Sequence, residues 1–196
     1  MKPLILILLC CIVTTCSIQA QKKESAKYKF LAIPNFQVLN GADATSSSIH
    51  LNAGLANNQN HFTIGVGIDY YRFRTVPLML DYKHFFGNKQ NKVFAYSSIG
   101  YSIPWLLEEQ KYRFWNGWGG MGNLAEYSSG LAYQFGIGYA ILNKKQKGFL
   151  LNLGFSNKSV KEGLQQMVFN GSTNTLMPYT KIYHLNRLAI GIGYTL

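Results

Sequence analysis

The chain has few cysteines, and all of them lie near its start. Cys10, Cys11 and Cys16 are the only three in 196 residues, so residues 21–196 contain none. Residues 21–196 therefore cannot form a disulfide framework, a thiolate metal site or a cysteine nucleophile. We therefore expect a fold held together by packing and hydrogen bonds alone.

The first twenty residues have the composition of a secretory signal peptide. A positive start at Lys2 precedes an apolar run from Leu4 to Val13, and Ser17–Ala20 supplies small residues near a cleavage point. The apolar run is too short for a spanning helix, which needs about 20 residues. We predict a cleaved signal peptide at 1–20, a polar tail at 21–26 and one folded domain at 27–196.

Cys16 raises the alternative of a lipidated N-terminus. Bacterial lipoprotein signals require Leu three positions before the modified cysteine and a small residue directly before it. This chain has Val13 and Thr15 at those positions. The pattern therefore favours an ordinary cleaved signal peptide.

Long hydrophobic runs are also absent after residue 20. The chain is 47% hydrophobic and 14% aromatic, but its apolar residues alternate with polar or small ones. Alternation with a period of two places the two sets on opposite faces of a β-strand. An exported chain with this pattern is typical of an outer-membrane barrel, although a soluble lipocalin-like barrel or sandwich would also alternate.

The net charge is strongly positive, at +11 for the whole chain. Removal of Lys2 with the signal peptide lowers it to +10, from 18 basic and 8 acidic residues. A basic balance often indicates nucleic acid, but an exported chain rarely meets it and no basic run is longer than Lys144–Lys147. We expect outer-membrane lipid and lipopolysaccharide as partners of these cations, and no nucleic acid.

The last ten residues, Arg187 to Leu196, show the alternation most clearly, and seven earlier segments repeat it. The eight predicted strands lie near 27–38, 49–55, 62–71, 77–86, 93–101, 131–141, 149–155 and 179–196. Short polar turns at 57–61, 87–91 and 143–147 alternate with longer connections at 40–48, 72–77, 104–129 and 157–178. This asymmetry is expected of a membrane barrel whose two termini lie in the periplasm. Pro34 makes the first strand an edge or bulged strand.

Segment 104–129 differs from the rest of the chain. It holds all three tryptophans and the glycine cluster at 117–122. Long loops in compact folds tend to be functional or disordered, and the aromatic content argues against simple disorder. Trp105, Trp115 and Trp118 are therefore candidates for an interface belt or for contact with a surface glycan or a protein partner.

Glycines recur on one face of the predicted strands, opposite the large apolar residues. The pairs are Gly65/Gly67, Gly136/Gly138 and Gly191/Gly193. Glycine weakens a strand in general, but the interior of an eight-stranded barrel is only wide enough to be filled by side chains. The same inward face predicts a polar network in the lumen, formed by Asp69, Asp81, Lys83, Gln134, Asn152 and Arg187. Such a network leaves no open channel.

The chain resembles the small outer-membrane β-barrel proteins of the Bacteroidetes type, akin to the OmpX and OmpA barrel group. The residues that carry the resemblance are the ending SIQA-Q, the hairpin at 62–86, the strand LAYQFGIGYAI and the terminal RLAIGIGYTL. It implies an all-β fold, an eight-stranded antiparallel up-and-down transmembrane β-barrel in the bacterial outer membrane. It also implies recognition of the C-terminal strand by the barrel-assembly machinery. Such barrels usually end in Phe or Trp, whereas this chain ends in Leu196.

No motif for catalysis, a metal or a cofactor appears. There is no HExxH, no acidic calcium loop and no His-X-Ser of the kind that outer-membrane lipid A deacylases carry, since His184-Leu185-Asn186 lacks the hydroxyl. His84 and His184 share the apolar face of their strands, and His61 falls in a turn. We expect a structural or surface-interaction role without catalysis or cofactor. The open alternatives are a lipid A-modifying enzyme and a small hydrophobic ligand binder or transporter.

Overall fold

The structure is a computed structural model that describes residues 28–42, 44–87, 90–105, 126–169 and 174–196. Eight strands follow one another along the chain, and each pairs antiparallel with the next. Their bounds are β1 Lys29–Gly41, β2 Thr45–Ala56, β3 Asn60–Asp69, β4 Thr75–Phe86, β5 Asn91–Pro104, β6 Glu126–Leu142, β7 Gly148–Phe169 and β8 Asn174–Thr195.

The barrel closes between its first and last strands. The β1–β8 register runs from Asn35 opposite Gly193 to Gly41 opposite Arg187, and the Leu196 amide donates to the Ala32 carbonyl at 3.0 Å. The predicted fold, a closed eight-stranded up-and-down antiparallel barrel, is confirmed. Among the described residues no helix is long and apolar enough to cross a membrane.

The predicted strands keep their phase but differ in length. β1 continues through Pro34, and the ladder with β8 begins at the next residue, Asn35. Because β1 pairs with both β2 and β8, it is not an edge strand. The predicted loop at 40–48 is mostly strand, and β6 already starts at Glu126. The predicted loop at 157–178 was wrong: β7 and β8 pair from Gly148 opposite Thr195 to Phe169 opposite Asn174. Between Asn157 and Glu162 polar residues lie on both faces of β7, so the alternation disappears while the strand continues.

One end of the barrel, here named the turn end, carries the short connections 57–59, 87–90 and 143–147, close to the turns predicted at 57–61, 87–91 and 143–147. The opposite end, named the loop end, is where β7 and β8 extend beyond the last residues of β1 that pair with β8. Only the connection 105–125 at the loop end exceeds twenty residues. The loop end is therefore longer than the turn end because of this connection and of the extended β7–β8 hairpin.

Two apolar clusters fill the lumen near its ends. The cluster at the turn end consists of Leu31, Ile33, Ala56, Phe85, Phe94, Tyr96, Ala140, Leu142 and Leu150. The cluster at the loop end consists of Leu39, Tyr71, Phe73, Val160, Tyr183, Leu185 and Ala189. A core of inward side chains at both ends leaves a polar section between them.

The inward glycines make room for large inward side chains. A Cβ on Gly138 would lie 2.2 Å from the Phe94 ring, and one on Gly154 would lie 2.4 Å from the Tyr96 hydroxyl. Real Cβ atoms do not approach so closely, so the aromatic rings of β5 occupy space that β6 and β7 leave empty. This pairing of large and small residues explains why glycine recurs on the inward face.

Candidate functional site

The polar section of the lumen contains two groups of buried charges. The first is centred on Asp69 at the end of β3. Its carboxylate is paired with the guanidinium of Arg187 on β8, and its other oxygen lies 3.0 Å from Lys158 Nζ on β7. The Tyr71 amide donates to the same carboxylate at 2.8 Å. One carboxylate thus joins three strands across the barrel.

The two cations of this group also have neutral partners. Arg187 donates to the Ser156 hydroxyl at 2.8 Å. Lys158 donates to the Phe73 carbonyl at 2.8 Å and to the Thr75 hydroxyl at 3.2 Å. Buried charges are tolerated when they are paired and hydrogen-bonded, and these contacts supply both conditions.

The second group is centred on Asp81. Its carboxylate is paired with Lys83, two residues further along β4. It also accepts hydrogen bonds from Ser98 at 2.6 Å on β5 and from Thr63 at 3.1 Å on β3. All partners lie on β4 or on the two strands beside it, so this group is local to one side of the barrel.

Gln134 and Asn152 face the lumen without joining either charged group. The Gln134 amide donates to the Tyr96 hydroxyl at 3.1 Å and to Gln37 at 3.4 Å. The Asn152 side-chain oxygen is buried with no hydrogen-bond partner. It lies only 2.4 Å from the position that a Cβ on Gly191 would take. The six predicted lumen residues thus form two charged groups and two separate amides.

A small cavity of about 40 Å³ lies between these side chains. Four of the buried polar atoms that lack a partner belong to residues that line it: Asn35 Oδ1, Asn152 Oδ1, Ser102 Oγ and Arg187 Nε. A cavity of this size has room for about three water molecules. It is far smaller than the 300–1,000 Å³ typical of a ligand pocket.

The sequence does not reveal Lys158 as a lumen residue, because it falls in a segment predicted to be a loop. The same holds for Glu162, which is buried and accepts hydrogen bonds at 2.7 Å from Tyr127 and from Tyr183. Continuing the inward parity of β7 from Asn152 through Ser156 would have identified both. No group of three or more metal-ligating side chains is found in the described part of the chain.

Of the three predicted loop tryptophans, the structure describes Trp105, which is exposed just after β5. The guanidinium of Arg74 lies 4.2 Å from its ring centroid, and Arg74 Nε donates to its carbonyl at 2.8 Å. Trp115 and Trp118 lie outside the described residues.

Of the four histidines, His61 faces the lumen, whereas His84 and His184 face outward. His61 is not in a turn: it lies in β3, faces inward and packs on Phe85 with 4.4 Å between ring centroids. His84 and His184 lie on the outer face, as predicted. His184 Nδ1 is 3.1 Å from the hydroxyl of Ser159 on the neighbouring strand β7. A search for His-X-Ser along one strand misses this pair, because its members meet through the β7–β8 register.

Comparison with known proteins finds similarity among solved structures. No protein-family model matches the chain, and no curated protein matches it in sequence. Three similar solved structures are the outer membrane protein OprG and the N-terminal β-barrel domain of OprF, both from Pseudomonas aeruginosa, and Neisserial surface protein A.

For OprG the identity is 11% and the TM-score 0.47, over 85% of this chain and 95% of that chain. For the OprF domain the identity is 8% and the TM-score 0.41, over 88% of this chain and 100% of that domain. For Neisserial surface protein A they are 14% and 0.39, over 87% and 98%. The function proposed below therefore rests on the surface and the lumen of this chain alone.

Proposed function

We propose that the protein is an outer-membrane β-barrel with a closed, side-chain-filled lumen and a structural or surface-interaction role. The observation that carries this proposal is the outer face of the strands. From Phe30 around to Tyr194, the outward positions between the two barrel ends of the described strands hold apolar, aromatic or small residues, and none of these positions holds Asp, Glu, Lys or Arg. The outward charges Glu126 and Lys161 lie beyond them, at the loop end.

The exposure of these residues is the reverse of what a soluble barrel requires. Ile64 is 59% exposed, Leu80 60%, Ile137 61% and Ile190 56%, whereas Asp69 and Arg187 are 4% exposed. Soluble monomers rarely expose contiguous apolar patches of more than a few hundred Å². A ring of apolar side chains around eight strands supports lipid contact outside and polar residues inside.

The proposed surface for this interaction is the loop end, beyond the apolar ring. Arg72, Lys161 and Lys181 are exposed there, and Arg74 lies over Trp105. Cations and an aromatic ring at this height suit the phosphates of lipopolysaccharide, or a surface glycan or protein partner. At the other end of the barrel, the exposed Leu196 and the strand before it are proposed to engage the barrel-assembly machinery.

Outer-membrane location is tested by fractionation and by heat-modifiability. The full chain, expressed with its N-terminal segment in a Gram-negative host, should lack residues 1–20 and fractionate with the outer membrane. After detergent extraction it should migrate differently in boiled and unboiled samples, since a closed barrel resists unfolding by detergent alone. Recovery in the soluble periplasm without such a shift would contradict the proposal.

The Ser159–His184 pair favours one second candidate, hydrolysis of a lipid ester at the outer wall. The apolar ring ends on β7 and β8 at the paired residues Phe155 and Leu188. The Ser159–His184 pair lies four residues further along each strand, towards the loop end. In this reaction Ser159 Oγ attacks the ester carbonyl while His184 accepts its proton. The alcohol leaves with that proton, and water then releases the fatty acid from the serine.

This candidate is tested by comparing fatty-acid release from outer-membrane lipid by the purified wild type and by Ser159→Ala. Hydrolysis predicts a release that Ser159→Ala and His184→Ala abolish. Asn186 lies two residues from His184 on the same face of β8, so Asn186→Ala serves as the matched control and should keep the activity. Equal release by wild type and Ser159→Ala would eliminate the candidate and leave the non-catalytic role.

A further inference from the structure

The outer wall carries a groove that crosses β2 to β6. Ser97, a small outward residue of β5, forms part of its floor. Ser97 lies between Tyr82 on β4 and Phe135 on β6. Large side chains on both sides of a small one leave a depression in the apolar ring.

The depression has a volume of about 770 Å³ and is lined mainly by apolar atoms of β2 to β6. Leu80, Ile99 and Phe135 contribute to its walls, and Ser97 places one hydroxyl in its floor. The volume lies within the range of 300–1,000 Å³ typical of small-molecule sites. A groove of this composition on a lipid-facing wall suits an acyl chain.

A polar cluster lies at the turn end of the groove. The Tyr82 hydroxyl donates to Asn60 Oδ1 at 2.9 Å, and His84 Nδ1 is 2.8 Å from the same oxygen. Two ring contacts hold the cluster in place. The ring centroids of Phe62 and Tyr82 are 4.8 Å apart, and those of Phe86 and His84 are 4.9 Å apart. Tyr82 also lines the groove, so the polar cluster and the apolar depression are continuous.

The donors of this cluster point to an acidic or carbonyl oxygen as the ligand group. Asn60 uses its side-chain oxygen within the cluster and retains two amide N–H donors, for which no partner is found among the described residues. Phosphate and ester oxygens accept such bonds. The order along the wall is polar at the turn end and apolar towards the barrel centre, which is the order of headgroup and acyl chain in a membrane leaflet.

We propose that this wall binds one glycerophospholipid of the periplasmic leaflet. Its phosphate or ester oxygens contact the Asn60–Tyr82–His84 cluster, and an acyl chain occupies the groove over Ser97. The site rests on the proposed function, since that function places the turn end at the periplasmic surface. Lipopolysaccharide belongs to the opposite leaflet and does not fit this orientation.

The test is the amount of phospholipid that the barrel keeps through mild purification. Wild type is extracted from membranes in a non-ionic detergent and separated from free micelles, and the lipid per chain is then measured by mass spectrometry. We expect about one phospholipid per wild-type chain. Ser97→Leu, which fills the groove, and Asn60→Ala, which removes the donors, should each lower the retained amount at least fivefold.

A matched pair of variants separates the site from the general lipid surface. Tyr82→Phe removes the hydroxyl from the cluster, whereas Tyr139→Phe removes one from β6, also on the outer face near the turn end. Tyr82→Phe should lower retention and Tyr139→Phe should leave it unchanged. All variants must keep the heat-modifiable shift, which tests the barrel itself independently of lipid retention.

Three results would overturn the proposal while leaving the barrel intact. They are a heat-modifiable wild type without retained phospholipid, retention that Ser97→Leu does not change, and retention of lipopolysaccharide in place of phospholipid. Failure of the heat-modifiable shift in wild type would instead contradict the outer-membrane barrel.

Discussion

The two charged groups in the lumen are built from similar residues but join different parts of the barrel. Asp69 binds Arg187 at a sequence separation of 118 residues, and it binds Lys158 on the strand next to Arg187. Asp81 binds Lys83 two residues away on its own strand. The Asp69 group thus connects opposite walls, whereas the Asp81 group stays on one wall.

The charge balance of the two groups also differs. Asp69 faces two cations, which both rely on it as their only carboxylate partner among the described ion pairs. Asp81 and Lys83 are one acid and one base. Loss of the acid therefore leaves two unpaired buried cations in the first group and one in the second. The comparison predicts unequal costs for the same substitution.

Asp69→Asn should have the largest effect. It keeps the shape of the side chain but leaves Arg187 and Lys158 buried without a counter-charge. Breaking a buried ion pair costs about 3–5 kcal/mol, and with two cations stranded we expect the upper end of that range. Urea unfolding in lipid vesicles, followed by tryptophan fluorescence, measures the loss. A free energy of unfolding within about 1 kcal/mol of wild type would show that the group does not hold the walls together.

Asp81→Asn should cost less, at about 3 kcal/mol, which is the lower end of the same range. Only Lys83 loses its counter-charge, and the Asn side chain can still accept from one of the two hydroxyls of Ser98 and Thr63 and donate to the oxygen of the other. The same unfolding measurement serves as the readout. A loss equal to or greater than that of Asp69→Asn would reverse the order that the two arrangements predict.

Much of this lumen can be predicted from alternation alone. The inward parity places Asp69, Asp81, Lys83 and Arg187 inside, because a period of two assigns each residue to a face once the apolar face is known to point outward. The pairing of Asp81 with Lys83 follows from the same rule, since residues two apart share a face.

The pairing of Asp69 with Arg187 cannot be predicted in this way. It depends on the closure of the barrel and on the stagger between strands, which no local pattern reports. Lys158 is missed for another reason: beyond the apolar ring both faces of β7 are polar, so alternation no longer marks the strand. Ser159 and His184 meet only through the register of β7 against β8.

The smallest effect is expected when both members of the local pair are replaced together. In the double variant Asp81→Asn with Lys83→Met, no charge remains unpaired, and the methionine side chain fills the space of the lysine stem. Replacing a whole buried ion pair with residues of similar volume is often neutral, so the free energy of unfolding should stay within about 1 kcal/mol of wild type.

The matched variant in the other group is Asp69→Asn with Arg187→Met. It should not recover stability in the same way, because Lys158 stays charged and Ser156 loses the donor that Arg187 supplies at 2.8 Å. The two double variants are compared by the same urea unfolding in vesicles. Equal recovery in both would mean that the contacts across the barrel contribute no more than the local pair, and the distinction between the two groups would then be wrong.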